Sequence, residues 1–312
     1  MRILVTGASG LLGLNLALCA AQQAAGQHAV FGTVHSHNLY TPAFSVIQAD
    51  LLVPGTVERI LDQTQPDWVI NCAALAIIDA CEVDPVLARK VNIDLPVKLA
   101  SHVARGGARL LHLSTDAVFD GRRGDYFEED EPNPLSVYAL TKLESERAVT
   151  GENPDTLIAR INLFGWGLTG KRSLSEFFFY NLQAGKRVMG FTDVYFNPLL
   201  ANDLANLLLE MMDKHLSGLY HVVSRESVTK YDFGIALAHQ FGLDSKLITP
   251  TPVTQSDLKA ARSPKLTLRC DKLTRELGKE PPTWREGLER LFELHQQGYP
   301  QMLQRLAIEN KY

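Results

Sequence analysis

Cysteine is scarce in this chain, and the patterns that would give it a structural role are missing. Among 312 residues there are four, Cys19, Cys72, Cys81 and Cys270, with no C-x-x-C spacing. That excludes a dense disulfide framework and the common zinc and dithiol motifs. Cys19 and Cys72 stand in apolar contexts and read as small core residues. The nine histidines are scattered, only His35 and His37 lying close together, so no metal site is expected. This usage suits a reducing, cytoplasmic compartment. Positive charge is not in surplus either: 31 Lys and Arg against 35 Asp and Glu leave a net −4. Nucleic acid is therefore not an expected partner. No apolar run is long enough to cross a bilayer, so no membrane partner is expected. Internal repeats and low-complexity segments are absent. One further absence is local: no Asp or Glu occurs between Gly13 and Asp50.

What is present begins at the N-terminus, with Met1-Arg-Ile-Leu-Val-Thr-Gly-Ala-Ser-Gly-Leu-Leu-Gly13. The run Ile3-Leu4-Val5 is expected of a strand buried on both faces of a parallel sheet. That start, the glycine turn and Asn15 favour a first strand and helix over a signal peptide. Gly7, Ser9, Gly10 and Gly13 sit where the strand must turn, and residues 11–23 have a helical apolar pattern. A turn of this kind bares N–H groups at the positive end of a helix dipole, where a pyrophosphate binds well. The spacing is G-x-x-G-x-x-G, not G-x-G-x-x-G. Taken alone it fits a nucleotide site and an ordinary tight turn equally.

The second strand, 29–34, runs into His35-Ser36-His37. In NAD-binding folds an acidic residue here holds the ribose 2′-hydroxyl, and it would repel a 2′-phosphate. Its absence, with His35, Ser36 and His37 as hydrogen-bond donors, favours NADP(H) over NAD(H). The plainer reading is three polar loop residues. Further strands are expected at 44–49, 67–71, 108–113, 156–161 and 218–223, with helices at 85–104, 134–148 and 231–241 and a polar loop at 249–264. Strands alternating with helices give an α/β fold, a doubly wound parallel sheet with sites at the carboxyl ends of the strands. A chain of this length buries a full core. We expect a dinucleotide-binding Rossmann domain over 1–165. A smaller α/β substrate domain would follow over 166–312, with about 195–225 returning to the first.

Tyr138 and Lys142 stand four apart, on one helix face. By itself this pair is a weak signal. With Ser114-Thr115 closing an earlier strand and the glycine turn before them, it becomes a reductase constellation. A phenol titrates near 10, and a neighbouring ammonium lowers that value. Tyr138 could then give a proton to a carbonyl oxygen while hydride arrives from a nicotinamide. Thr115 would orient the same oxygen. The plain alternative is an exposed Tyr–Lys pair and a strand-ending threonine.

These features resemble the extended short-chain dehydrogenase/reductase superfamily, and within it the dTDP-4-dehydrorhamnose reductase-like family. The resemblance is carried by Thr6 to Gly13, Asn71-Cys-Ala-Ala74, Lys90-Val-Asn92, Ser114-Thr-Asp-Ala-Val-Phe-Asp-Gly121, Pro134 to Lys142, Asn197-Pro198 and Ala261-Arg-Ser-Pro264. It implies Thr115, Tyr138 and Lys142 as the catalytic trio. It implies that Gly7, Gly10, Leu11, Leu12, Asp50, Leu51, Ala73 and Ala74 line the cofactor, with Asp50 near adenine. Asn92 resembles the family's active-site asparagine, placed here with the cofactor-binding residues. Asp116, Asn162 and Arg262 are expected on the substrate side. Arg160 and Lys265 are further diphosphate candidates, Arg160 serving equally as a structural ion-pair partner. Departures fall on the substrate: Asn162-Leu163 replaces the rhamnose enzymes' Ser-Trp, Asp193-Val194 their Asp-Gln, and Leu199 a threonine. The implied substrate is a nucleotide-activated keto-sugar, its sugar and nucleotide unnamed.

Three rivals stand beside this reading, and a sequence feature separates the first. A dehydratase of the superfamily needs Thr-Asp-Glu, and Asp116 is followed by Ala117. An epimerase would retain its cofactor through the cycle. A non-catalytic NADP-binding regulatory subunit, similar to the methionine adenosyltransferase beta subunit, is compatible with an intact trio. Oligomeric state stays open, a homodimer through the Tyr138 helix being one arrangement that the superfamily uses.

Overall fold

Seven parallel strands carry the molecule in the order β3–β2–β1–β4–β5–β6 followed by Gly218–Val222. They are β1 Arg2–Thr6, β2 Ala29–Val34, β3 Ser45–Gln48, β4 Trp68–Asn71, β5 Arg109–Thr115 and β6 Leu157–Ile161. The computed structural model describes residues 1–23, 28–255 and 263–307. The central strands read as unbroken apolar runs because both faces are covered. Ile3 and Val5, Ile70, and Leu111 and Leu113 belong to one core; Leu4, Val69 and Leu110 point into the other. Each such side chain, fully buried, contributes about 1.5–3 kcal/mol.

Helix α1, Leu11–Gln23, packs on the first face. On the other lie α2, Thr56–Thr64, and the long helical segment after β4. The chain moves outward from β1 to β2 and β3, then crosses back to place β4 on the other side of β1. This reversal leaves a crevice beyond the carboxyl ends of β1 and β4, the natural ligand site of such sheets.

The helix expected at 85–104 is interrupted. After α3, Ile78–Val83, come α4, Pro85–Arg89, a π-helical turn Lys90–Asp94 and α5, Leu95–Gly106. The wide turn carries Asn92 and rotates it inward, a use of π-turns frequent at functional sites. Helix α6, Val137–Glu152, starts later than Pro134, because Ser136 caps it by accepting from the Ala139 N–H at 3.2 Å.

Beyond β6 the chain both returns to the sheet and leaves it. Helix α7, Leu174–Gln183, has a Ser173–Glu176 capping box, and α8, Ala201–Asp213, packs against α1. Within the expected polar loop 249–264, Ile248–Thr251 is a strand paired in parallel with Val188–Phe191. Ile248 and Thr251 are buried there, so cross-strand packing outweighs the local Pro250 and Pro252. Among the described residues, no helix is long and apolar enough to cross a membrane.

Candidate active site

The strand-to-helix turn is built on contacts that only glycine permits. Gly7 has φ +66°, and a Cβ there would lie 2.9 Å from the Ala73 nitrogen. A Cβ on Gly13 would overlap the Gly7 carbonyl oxygen. The turn closes with Gly10 N–H donating to Gly7 O at 2.9 Å and Ala8 N–H to Thr33 O at 2.8 Å. It delivers the first turn of α1 to the crevice, and N–H groups in a first turn have no intrahelical acceptor. Thr6 ties β1 to β4: its hydroxyl donates to Asn71 at 2.7 Å and accepts from Ala73 N–H at 3.2 Å.

Over this turn lies a cavity of about 350 Å³, within the range of small-molecule sites. Of the expected site residues, Gly10, Leu11, Leu12, Gly13, Ala74, Thr115, Asp116, Tyr138, Lys142 and Asn162 line it together. A hollow of about 440 Å³ between α2 and α5 has none of this strand-end chemistry. Gly7 and Ala73 form the floor of the turn, and Ser9 lies within the turn itself. Farther out, His35 and Ser36 follow β2, both exposed, with His37 half-buried. Asp50 and Leu51 follow β3, and His35 Nε2 comes within 3.9 Å of Asp50.

Three expected residues are placed elsewhere. Asn92 is fully buried behind the cavity, accepting from Leu75 N–H at 2.9 Å and donating to Leu75 O and Thr141. It braces the strand-end segment above β4. Arg160 is corrected from the diphosphate candidates: it is 2% exposed and donates to Glu146 through two nitrogens at 2.9 and 2.8 Å. A side chain enclosed in that bidentate pair does not reach a ligand. Lys265 is exposed, on a strand beside Tyr195 and outside the cavity lining. Arg262 lies outside the described residues.

The trio comes from two elements. Thr115 ends β5, while α6 presents Tyr138 and Lys142 one turn apart. Thr115 Oγ1 donates to Asp116 Oδ1 at 3.0 Å and accepts from Ala117 N–H at 3.2 Å. Asn162 Nδ2 donates to the other Asp116 oxygen. Tyr138 is half-exposed as a residue, with its hydroxyl end enclosed beside Thr115. Burial pushes that phenol up to about 12, and Asp116 adds to the shift. The expected lowering by Lys142 does not emerge: desolvation of the phenolate prevails, and Thr115 rather than Lys142 opposes it. Lys142 is itself buried and pushed down to about 8, with Glu146 opposing. Burial also raises Asp116 to about 6, against its hydrogen bonds from Asn162 and Thr115 and the charge of Lys230.

Below the trio, Asn71 and Ser145 hold the buried His112 at 3.1 and 3.0 Å, and Ser114 donates to Glu146. Sequence reasoning missed Arg172, Ile77 and Ala76 on the cavity wall and Lys230 near Asp116. Cys72, expected in the core, lines the cavity as well. Arg172 sits in an irregular loop with no spacing pattern, so no sequence signal marks it. Among the described residues there is no group of three or more His, Cys, Asp or Glu suited to a metal.

The chain matches the family model described as the RmlD substrate binding domain over residues 1–297. It is similar to a probable low-salt glycan biosynthesis reductase of Haloferax volcanii, 37% identical over 298 residues, 93% of this chain and 97% of that one. The methionine adenosyltransferase 2 subunit beta of Bos taurus is 33% identical over 291 residues, 90% and 84% of the two chains. Among solved structures, a dTDP-4-dehydrorhamnose reductase of Clostridium acetobutylicum superposes with a TM-score of 0.81 at 29% identity. That match covers 95% of this chain and 100% of the other.

Proposed function

The chain belongs to the RmlD substrate binding domain family, within the extended short-chain dehydrogenase/reductase superfamily, and we propose that it is an NADPH-dependent reductase of a nucleotide-activated keto-sugar. The observation that carries this reading is convergence: Thr115, Tyr138 and Lys142 face the same cavity as the Gly10–Gly13 turn. The residues fit a dinucleotide, since a Cβ at Gly7 would meet the Cys72–Ala73 backbone and one at Gly13 the Gly7 carbonyl, so glycine alone builds the turn that opens α1 toward the cavity. Leu11, Leu12 and the neighbouring N–H groups would hold a pyrophosphate, and His35, Ser36 and His37 a ribose 2′-phosphate. When bound, the nicotinamide supplies the hydride that adds to the ketone carbon.

The chain's own residues do the rest. A phenol raised to about 12 is fully protonated at neutral pH, so Tyr138 is loaded as the acid that protonates the carbonyl oxygen. Lys142, pushed to about 8, is still mostly an ammonium at pH 7 and favours the phenolate left behind. Asn162, Lys230 and Arg172 lie toward the substrate side, the two cations suited to a diphosphate. The domain division at 165/166, with α8 and Gly218–Val222 returning to the sheet, and a cytoplasmic location belong to the same reading.

The test is NADPH oxidation with a panel of dTDP- and UDP-linked 4-keto sugars. Tyr138→Phe should lower kcat by about 10²–10⁴ without loss of NADPH binding. NADH should be the poorer donor by KM. The beta-subunit relative supports a second reading, a non-catalytic NADP-binding regulatory subunit. Binding of NADPH with no turnover on any keto-sugar, together with a co-purifying enzyme, would favour it.

A further inference from the structure

Thr115 has a single proton, and the heavy-atom geometry directs it at Asp116. A threonine hydroxyl has one donor and two acceptor positions. Its oxygen accepts from Ala117 N–H at 3.2 Å and its proton is directed at Asp116 Oδ1, 3.0 Å away. An ionised carboxylate only accepts. While Asp116 is ionised and holds that proton, Thr115 has none to offer a ligand oxygen. Asn162 donates to Asp116 Oδ2, so any proton on this carboxyl resides on Oδ1, against Thr115. A protonated Oδ1 would donate to Thr115, fill the second lone pair and turn the threonine proton toward the cavity.

We propose that Asp116 is a positioning residue that sets the direction of the Thr115 proton, its protonated form being the one that lets Thr115 donate to a substrate carbonyl. This rests on the reductase reading above. Asp116 is 4% exposed, with each carboxylate oxygen already facing a protein donor. Burial holds its carboxyl up to about 6, within reach of ordinary assay pH. The charged and titratable groups facing it are Lys230, which favours ionisation, and the Tyr138 phenol, with Lys142 and Arg172 across the cavity.

The measurement is the pH profile of kcat/KM for NADPH-dependent reduction of a dTDP-linked 4-keto sugar. In the wild type the rate should fall as pH rises above about 6, approaching tenfold per unit where one ionisation governs it. Asp116→Asn presents an amide N–H permanently to Thr115. This variant should lose that limb, run flat from pH 6 to 7, below the Lys142 midpoint near 8, and exceed the wild type at pH 7 by about tenfold. A limb between pH 6 and 7 that persists in Asp116→Asn, or an even loss of rate at every pH in a folded, NADPH-binding variant, overturns the proposal. A second readout needs no turnover: ¹³C-carboxyl NMR titration of Asp116 in the ligand-free protein. Thr115→Val removes a donor to the ionised form and should move the Asp116 midpoint to higher pH; an unmoved midpoint overturns the proposal. If no keto-sugar is reduced, the reductase reading fails and the titration alone decides the hydrogen-bond assignment.

Discussion

Burial acts in one direction on five titratable side chains at this site, pushing Tyr138, Asp116 and Cys72 up and Lys142 and His112 down, each toward its neutral form. Water is excluded by the same apolar packing that makes the sheet, so protonation states here follow from the fold. The effect also reaches stability. His221 is fully buried, with Nδ1 at 3.1 Å from Arg269 O, and is depressed from 6.5 to about 3. A depressed group contributes stability that is present above 6.5 and lost as pH falls toward 3, because the unfolded chain binds the proton first. His221→Gln keeps one donor and one acceptor. It should therefore lose less melting temperature than the wild type between pH 6.5 and 4.5, measured by circular dichroism. Gly13→Ala forces a methyl into the Gly7 carbonyl, and should weaken NADPH binding in calorimetry by about tenfold or more while lowering the melting temperature. Both residues announce different things in sequence. The glycine spacing shows that a tight turn is needed, but nothing marks His221 as neutral, because its partners lie 48 and 61 residues away.

At the scale of elements, α6 is a stripe with period four: Tyr138, Lys142 and Glu146 face the carboxyl ends of β5 and β6 in succession. The first two were readable as a pair because helical spacing is local. The third was not, since its meaning depends on Arg160 from β6 and Ser114 from β5. Two buried charges held this way strongly resist the loss of one partner. Arg160→Met should cost about 3–5 kcal/mol in urea denaturation by stranding Glu146, and the double variant Arg160→Met/Glu146→Leu should recover much of that loss. A similar blind spot hid the π-helical turn at Lys90–Asp94. The residues there look like ordinary helix, and only the hydrogen bonds of Asn92 to the Leu75 backbone explain the extra residue in the turn.

Over the whole molecule, the cofactor-side helix is anchored from the far end of the chain. Tyr299 donates to the buried Asn15 at 2.7 Å across 284 positions, and Asn15 in turn donates to Trp166 O at 3.0 Å. Tyr299→Phe should cost about 1–3 kcal/mol in a denaturant titration by leaving the Asn15 oxygen without its donor. The sequence by itself determined the alternation of strands and helices, the glycine turn, the Thr115–Tyr138–Lys142 set and the family. Each of these is written in local spacing, where backbone geometry dictates which residues share a face or fit a turn. Tertiary structure alone decided that Arg160 serves an ion pair, that Arg172 and Cys72 reach the cavity, and which way desolvation shifts the trio. Those outcomes depend on what stands opposite each side chain and how much water is excluded, distances set by packing between segments that no local pattern encodes.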